Sequence, residues 1–217
     1  MKILALDGAL GEFSTAICAG DRVVATATEP AKSALERGLG AIQSVLHDAT
    51  IDGAELDRIA VGIGPGSFTG LRIAIAYAKS LATAWRRPLV PISSFDLLEH
   101  GAAFERVLTV VVGRPGVISA RYRDRETERR ASGRIADVLG EIFDAGGPNE
   151  TLAVIGASKD VLDALAERRV QVHPTNPAVT PAAAAAALAA VTRVPAKTPH
   201  EVTADYGELP AVTLPKR

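Results

Sequence analysis

The sequence predicts an α/β protein made of two mixed-sheet units, each flanked by helices. Three observations carry this reading. Three β-rich segments stand in immediate succession at the start, KILALD (2–7), FSTAICAG (13–20) and RVVATATE (22–29), separated by turns near Gly8, Gly11 and Gly20. Helical and strand patterns alternate after them, and a second run of paired strands begins at residue 106. Successive short strands form an antiparallel meander, and later crossovers add parallel strands to it. The sheet is then mixed, with helices on its faces.

Pro30 ends the third strand, and Leu35, Leu39, Ile42, Leu46 and Ala49 then recur at helical spacing. Residues 33–49 therefore read as an amphipathic helix in spite of Gly38 and Gly40. RIAVGI (58–63) is the next strand, followed by a glycine-rich turn and a long helix from about Gly70 to Trp85. LVPIS (89–93) reads as a short buried strand, and 94–103 as a helix capped by Ser93 or Ser94. The order βββαβαβα is that of the opening half of an actin-like (ribonuclease H-like) domain and departs from the strict βαβ alternation of a Rossmann fold.

The second half opens with RVLTVVVG (106–113), turns through Arg114-Pro115-Gly116 and returns along VISARYR (117–123). RDRETERR (123–130) reads as solvated edge strands rather than a binding site. Helical pattern returns at 134–144 and closes at Gly146-Gly147-Pro148, before a buried strand TLAVIG (151–156), a helix at 158–168 and VQV (170–172). Thr180-Pro181 supplies a cap and a first-turn proline for an alanine-rich helix. From Pro195 the chain is a Pro- and Thr-rich tail. The expected units are residues 1–104 and 105–217.

Composition narrows the function classes. The 217 residues are 47% hydrophobic and 23% charged, an ordinary globular balance. The formal net charge of -1 offers no overall basic excess of the kind that autonomous nucleic-acid binding uses. The single cysteine, Cys18, excludes an internal disulfide and reads as a small buried residue of TAICAG. MKILALD is too short for a secretory h-region, and no apolar run approaches the roughly 18 residues of a membrane span. A cytoplasmic protein without membrane contact is expected. The four histidines, His47, His100, His173 and His200, are scattered rather than paired as metal ligands, so no metal site and no catalytic triad is expected.

One segment carries a signature. Residues 62–73 read GIGPGSFTGLRI: a strand end, a glycine-rich turn and a helix start. Converging N–H groups and the helix dipole suit an anion there, with Arg72 placed to close over it. A rigid strand-to-helix connection is the plainer alternative. A Walker A loop is excluded because the chain has no Gly-Lys pair, and a nucleophile elbow because Pro65 and Thr69 flank Ser67 where glycines are needed. Gly64, Gly66 and Gly70 approximate a dinucleotide fingerprint, but the next strand ends at Pro91-Ile92-Ser93 without an acid for a ribose hydroxyl. The helix from Leu71 to Trp85 is apolar nearly all round, so it must be buried in a core or at an interface.

The string GPGSFTGLRI, Gly64 to Ile73, strongly resembles the hallmark of the TsaB (YeaZ) family, and the first hundred residues agree with it. The resemblance implies a non-catalytic, actin-like subunit of the bacterial machinery that places threonylcarbamoyl on the N6 of the tRNA adenosine adjacent to the anticodon. The implied partners are a catalytic, metal-binding paralogue of TsaD type and a small ATPase of TsaE type. The implied self-association is a homodimer when alone, and tRNA is met only through the complex. No cofactor of its own is implied; ATP or ADP and metal belong to the assembled complex. The signature loop Gly64, Pro65, Gly66, Ser67, Phe68, Thr69, Gly70 and Arg72 is the candidate anion or partner contact. Leu71, Ile75, Ala78, Lys79 and Ala82, with Leu35 and Leu39, are the candidate interface.

Four positions depart from the family pattern. Asp7-Gly8-Ala9 replaces Asp-Thr-Ser or Asp-Thr-Ala, and Lys32-Ser33-Ala34 replaces a His-Ser or His-Thr pair. Val112-Gly113-Arg114 stands for Asp-Ala-Arg, and Tyr206-Gly207-Glu208 for Tyr-Leu-Arg. Asp7 thus remains as a vestigial phosphate-loop acid, and the missing acid at Gly113 counts against nucleotide hydrolysis. The competing hypothesis is an actin-fold small-molecule kinase or ATPase using Asp7 and the Gly64–Gly70 loop.

Overall fold

The computed structural model describes residues 1–143, 151–175 and 182–207. The first sheet contains β1 (Lys2–Asp7), β2 (Phe13–Ala19), β3 (Arg22–Glu29), β4 (Arg58–Gly64) and β5 (Leu89–Ser93), in the spatial order β3-β2-β1-β4-β5. β1, β2 and β3 pair antiparallel, while β4 and β5 add in parallel. The second sheet contains β6 (Val107–Arg114), β7 (Val117–Arg123), β8 (Glu128–Arg134), β9 (Leu152–Ile155) and β10 (Val172–Thr175), ordered β10-β9-β6-β7-β8. Its pairing repeats the first: antiparallel for β6, β7 and β8, parallel for β9 and β10. The two sheets are one topology used twice, the actin-like arrangement.

Strand alternation decides which helix goes where. Leu4 and Leu6 of β1 point to one face with Phe13, Ile17, Ile59 and Val61. There they meet α1 (Ala34–Asp48) through Ile42 and Val45, and α2 (Phe68–Trp85) through Leu71, Ala74 and Ala78. Each fully buried aliphatic or aromatic side chain contributes roughly 1.5–3 kcal/mol to this layer. Ile3, Ala5, Ala16, Cys18 and Ala60 line the opposite face against α6 (Ala182–Ala189). Alanines on both sides let the helix lie close to the sheet, so a polyalanine segment is buried all round. Ser14 Oγ of β2 accepts the Ala183 N–H at 3.1 Å, and Arg58 Nη1 donates to the Ala190 and Arg193 carbonyls beyond the other end of the helix. Cys18 is buried here, and burial pushes its thiol up to about 11, which leaves it unreactive.

The second sheet carries α4 (Ile135–Phe143) and α5 (Lys159–Glu167) on one face, packed on Leu108, Val110, Ile118, Ala120 and Val154. Its other face meets α3 (Ser94–Leu98) and the loop after it. The exchange is reciprocal: α3, from the first half, reaches the second sheet, and α6, from the second half, returns to the first. The strand layers of the second unit therefore span 107–175, and the chain from 182 onward packs on the first sheet rather than within an expected 105–217 unit.

Element limits differ from the sequence reading in a few places, each for a local reason. α2 begins two residues early because Ser67 caps it, accepting the Gly70 N–H at 3.3 Å. α3 stops at Leu98, short of the expected residue 103, and the turn after it uses Gly101 at φ +76°. β10 runs 172–175 rather than 170–172, because Arg169 turns at φ +57° and the pairing to β9 starts only at Val172. Gly38 proves useful in α1: a Cβ there would press on Tyr77 of α2, whose hydroxyl donates to the Leu35 carbonyl at 2.7 Å. The expected helix end at Gly146-Gly147-Pro148 and helix start at Thr180-Pro181 lie outside the described residues. The tail from Pro195 is tied to the first unit: Ala196 donates to Leu89 and Asp205 to Ile63, with Val202 buried between.

Candidate functional site

Three chain segments converge at the signature loop. They are the turn Asp7–Leu10 after β1, the stretch from Gly62 to Arg72, and the tail 203–207. Ser67 N–H donates to the Ala9 carbonyl at 2.8 Å, and Asp205 N–H donates to Ile63 at 2.7 Å. The glycines are set by these approaches. A Cβ on Gly70 would lie less than 3 Å from the Gly8 carbonyl, one on Gly66 less than 3 Å from the Ala9 carbonyl, and one on Gly64 less than 3 Å from the Asp205 carbonyl. Gly64 and Gly66 also hold φ of +101° and +155°, which L-residues seldom adopt. The loop is a joint where backbone packs on backbone. The N–H groups of Ser67, Gly70 and Leu71 are spent on Ala9, the Ser67 hydroxyl and the Ser67 carbonyl, respectively.

Arg72 does not stand over the helix start as an anion clamp. Its guanidinium lies 3.8 Å over the Phe68 ring and its Nε donates to the Tyr206 hydroxyl at 3.2 Å. Tyr206 in turn packs against Phe68, with ring centroids 4.9 Å apart. The tail thus covers the outer side of the loop. Thr69 is exposed, and Pro65 faces the cleft toward Phe95, Ser132 and Gly207.

Asp7 is 0% exposed. Its Oδ2 accepts the N–H groups of Ala9 at 3.1 Å and Leu10 at 3.2 Å, while Oδ1 has no partner and abuts Gly62, where any Cβ would collide with it. Burial pushes this carboxyl up to about 6, against a smaller opposing pull from the two N–H groups. An acid raised in the folded state has the opposite sign from a salt-bridged one. Asp7 costs nothing below about pH 4, an increasing amount up to pH 6, and roughly 3 kcal/mol above that. Asp7→Asn is therefore expected to raise stability at pH 8 and to flatten the stability profile between pH 4 and 6. Urea unfolding at a series of pH values checks this, and parallel profiles for the two proteins would refute it.

Asp7 is buried beside the Gly8–Gly70 contact, and Tyr206 of the tail packs on Phe68 at the helix start. The end of β6 presents exposed Val112, Gly113 and Arg114 rather than an acid. His47, His100, His173 and His200 are all exposed, and among the described residues no group of three His, Cys, Asp or Glu side chains converges as a metal site. No helix among the described residues is long and apolar enough to cross a membrane.

The interface candidates separate by face. Leu71, Ile75, Ala78 and Ala82 turn inward onto the sheet and are buried, so they are corrected from contact residues to core. Their 3–4 residue spacing put them on one stripe of α2, and that stripe packs on β4 and β1. Lys79 is half-buried and donates to the His200 carbonyl at 3.3 Å. The outward face of α2 is instead Arg72, Ala76, Ser80 and Ala84. Beside it on α1, Leu35 is 69% exposed and Leu39 49%, an apolar pair facing solvent. Leu35 and Leu39, named from the sequence as candidate contacts, are thus exposed, whereas Leu71, Ile75, Ala78 and Ala82 of α2, named with them, are core.

A family model described as TsaD, tRNA N6-adenosine threonylcarbamoyltransferase, matches residues 28–202. The TsaB protein of Bacillus subtilis is 33% identical over 113 residues, 51% of this chain and 49% of that protein. The TsaB protein of Escherichia coli is 32% identical over 131 residues, 58% of this chain and 57% of that protein. The chain belongs to this family, in its TsaB (YeaZ) branch. It spans about half the length of the curated relatives it matches. The YeaZ structure from Pseudomonas aeruginosa superimposes with a TM-score of 0.70 at 22% identity, covering 94% of this chain and 99% of that one, which establishes the shared fold.

Proposed function

We propose that this chain is the non-catalytic, activating subunit of a complex that transfers threonylcarbamoyl to the N6 of the tRNA adenosine adjacent to the anticodon. The observation that carries this reading is the use of the signature loop as a sealed structural joint beside an outward apolar helix face. A loop whose Ser67, Gly70 and Leu71 N–H groups are spent within the protein, beside a buried acid, supports a scaffold; exposed Leu35 and Leu39 support a docking role. The two TsaB relatives are named as threonylcarbamoyladenosine biosynthesis proteins, which agrees. The partner is a catalytic paralogue of TsaD type, with a small TsaE-type ATPase joining the assembly. Alone, the chain pairs with itself through the same face. It takes no nucleotide or metal of its own; ATP or ADP and metal enter with the partners, in the cytoplasm.

The test is light-scattering chromatography of the chain alone and mixed with the paralogue from the same organism, followed by threonylcarbamoyl transfer to tRNA. A homodimer that re-sorts into an active mixed complex is expected. Magnesium-dependent ATP turnover by the isolated chain would instead favour the kinase hypothesis. The exposed pair makes a sharper forecast. Leu35→Asp with Leu39→Asp is expected to weaken association by tenfold or more, about 1.4 kcal/mol at least, while the melting temperature of the monomer stays within a few degrees because neither side chain is in the core. Unchanged association would remove this face from the interface.

A further inference from the structure

The surface at the C-terminal end of α2 has a character that the chain's overall charge conceals. A groove of about 640 Å3 runs between the α2 terminus and the tail segment 195–200. It is lined by Arg86, Arg87, Lys197 and His200, and among the described residues that line it none is acidic. The chain as a whole carries -1, so this is a local concentration of cations rather than a general basic surface. The nearest acid in sequence, Glu201, follows the groove but does not line it.

The groove is built, not incidental. Arg86 sits in the left-handed position that closes α2, its N–H bonded back to the Ala82 and Thr83 carbonyls. That geometry fixes the root of its side chain at the groove edge. Arg87 is held by donation to the Ala54 carbonyl, and its buried Nε has no partner. On the opposite wall, Ala196 N–H donates to Leu89, and Lys79 Nζ donates to the His200 carbonyl. These bonds hold Lys197 and His200 across from the arginines. Thr83, on the exposed side of α2, is part of the lining, so the groove opens beside the helix face assigned above to partner docking.

We propose that this groove holds phosphate groups of the tRNA backbone when the complex engages its substrate. This deepens the scaffold reading and rests on it. Cations spread along an open groove, rather than converging on one point, match a chain of phosphodiesters better than a single small anion. Guanidinium and ammonium groups supply such contacts without reading bases. The bland net charge then makes sense: the chain alone holds RNA weakly, and the groove adds grip at the rim of an assembled surface.

The test measures fluorescence anisotropy of labelled tRNA against the full chain, alone and mixed with the catalytic paralogue, across about 25–200 mM salt. The variant is Arg86→Gln with Lys197→Gln, which removes both charges, keeps a polar side chain at each position and leaves Arg87 in place. Arg125→Gln with Lys159→Gln removes the same charge from exposed positions elsewhere and serves as control. The groove variant is expected to lose about tenfold in tRNA affinity at low salt and about 2 from the log–log salt slope, with the control unchanged and complex formation intact. Inorganic phosphate at millimolar levels should compete only weakly. Equal losses in groove variant and control, or none in either, would overturn the proposal while leaving complex assembly, and with it the scaffold reading, standing. Strong competition by inorganic phosphate would replace tRNA with a free anion as the occupant. A wild-type chain that forms no mixed complex would fail the scaffold reading instead, and the groove is then judged on the chain's own RNA binding at low salt, where indistinguishable variant and wild type refute it.

Discussion

Gly70→Ala will destabilise the protein by about 3 kcal/mol or more, even though the residue is helical and alanine is the better helix former. Elsewhere in a helix the exchange gains stability, because glycine gives up more backbone freedom on folding. Here the new Cβ would lie inside contact distance of the Gly8 carbonyl oxygen and carbon, which are backbone atoms with no rotamer to yield. Ala9 and Leu10, which follow Gly8, are in turn held by Asp7, and Ala9 by Ser67, so relief would require separating β1 from α2. Gly40 in α1 supplies the comparison. Nothing lies within 4 Å of its Cβ position, so Gly40→Ala should gain up to about 1 kcal/mol. For a chain of this size the two substitutions translate to a fall of about 6 °C or more and a rise of about 2–4 °C in melting temperature. If calorimetry finds both moving in the same direction, the signature glycines are not there for backbone packing.

Strand and helix identities were legible because KILALD and RIAVGI are short apolar runs bounded by turn residues, while the apolar residues of α1 recur at 3–4 spacing. The doubling of the fold was visible as two runs of paired strands. What could not be read was three-dimensional exchange: nothing in the alanines of α6 announces that they lie on Ala5, Ala16 and Ala60 of the other half. The signature loop was legible as special but not in kind. A glycine-rich strand-to-helix turn looks the same in one dimension whether its N–H groups face a ligand or a neighbouring carbonyl. The decisive partners, Ala9 and Asp205, are 58 residues before and 138 residues after Ser67 in the chain. Tyr206 stands where the family has a tail motif, yet its contact with Phe68 and Arg72 depends on the tail doubling back over α2. Arg86 and Lys197 carried no signal at all, since each is an ordinary surface cation until the tail brings them to one groove.

Arg121 carries the second large effect. It projects from β7 toward α3 and is 4% exposed, with Nη1 at 2.6 Å from Asp96 and Nη2 at 3.0 Å from Glu99. Its guanidinium also lies 5.2 Å from the Phe95 ring centroid. The two carboxylates have outer partners, Arg193 on Asp96 at 2.7 Å and Arg123 on Glu99 at 3.0 Å, but both of these arginines reach solvent. Arg121→Met keeps the volume and removes the buried charge. It leaves two acids facing a dry methionine, with Arg193 on Asp96 and with Arg123 and the Thr109 hydroxyl on Glu99 as the remaining partners. Removing one member of a buried pair costs about 3–5 kcal/mol, and the retained outer arginines place this case near 3. Because α3 belongs to the first half and β7 to the second, the loss should loosen the junction between the sheets before it melts either one. Hydrogen exchange should therefore quicken in 94–104 and 117–123 ahead of β1 and β4. Adding Glu99→Gln to Arg121→Met removes the stranded charge and should recover part of the loss, a coupling of at least about 1 kcal/mol. Additive effects in that cycle, or a single variant within about 0.5 kcal/mol of wild type, would show that packing rather than paired charge joins the two halves.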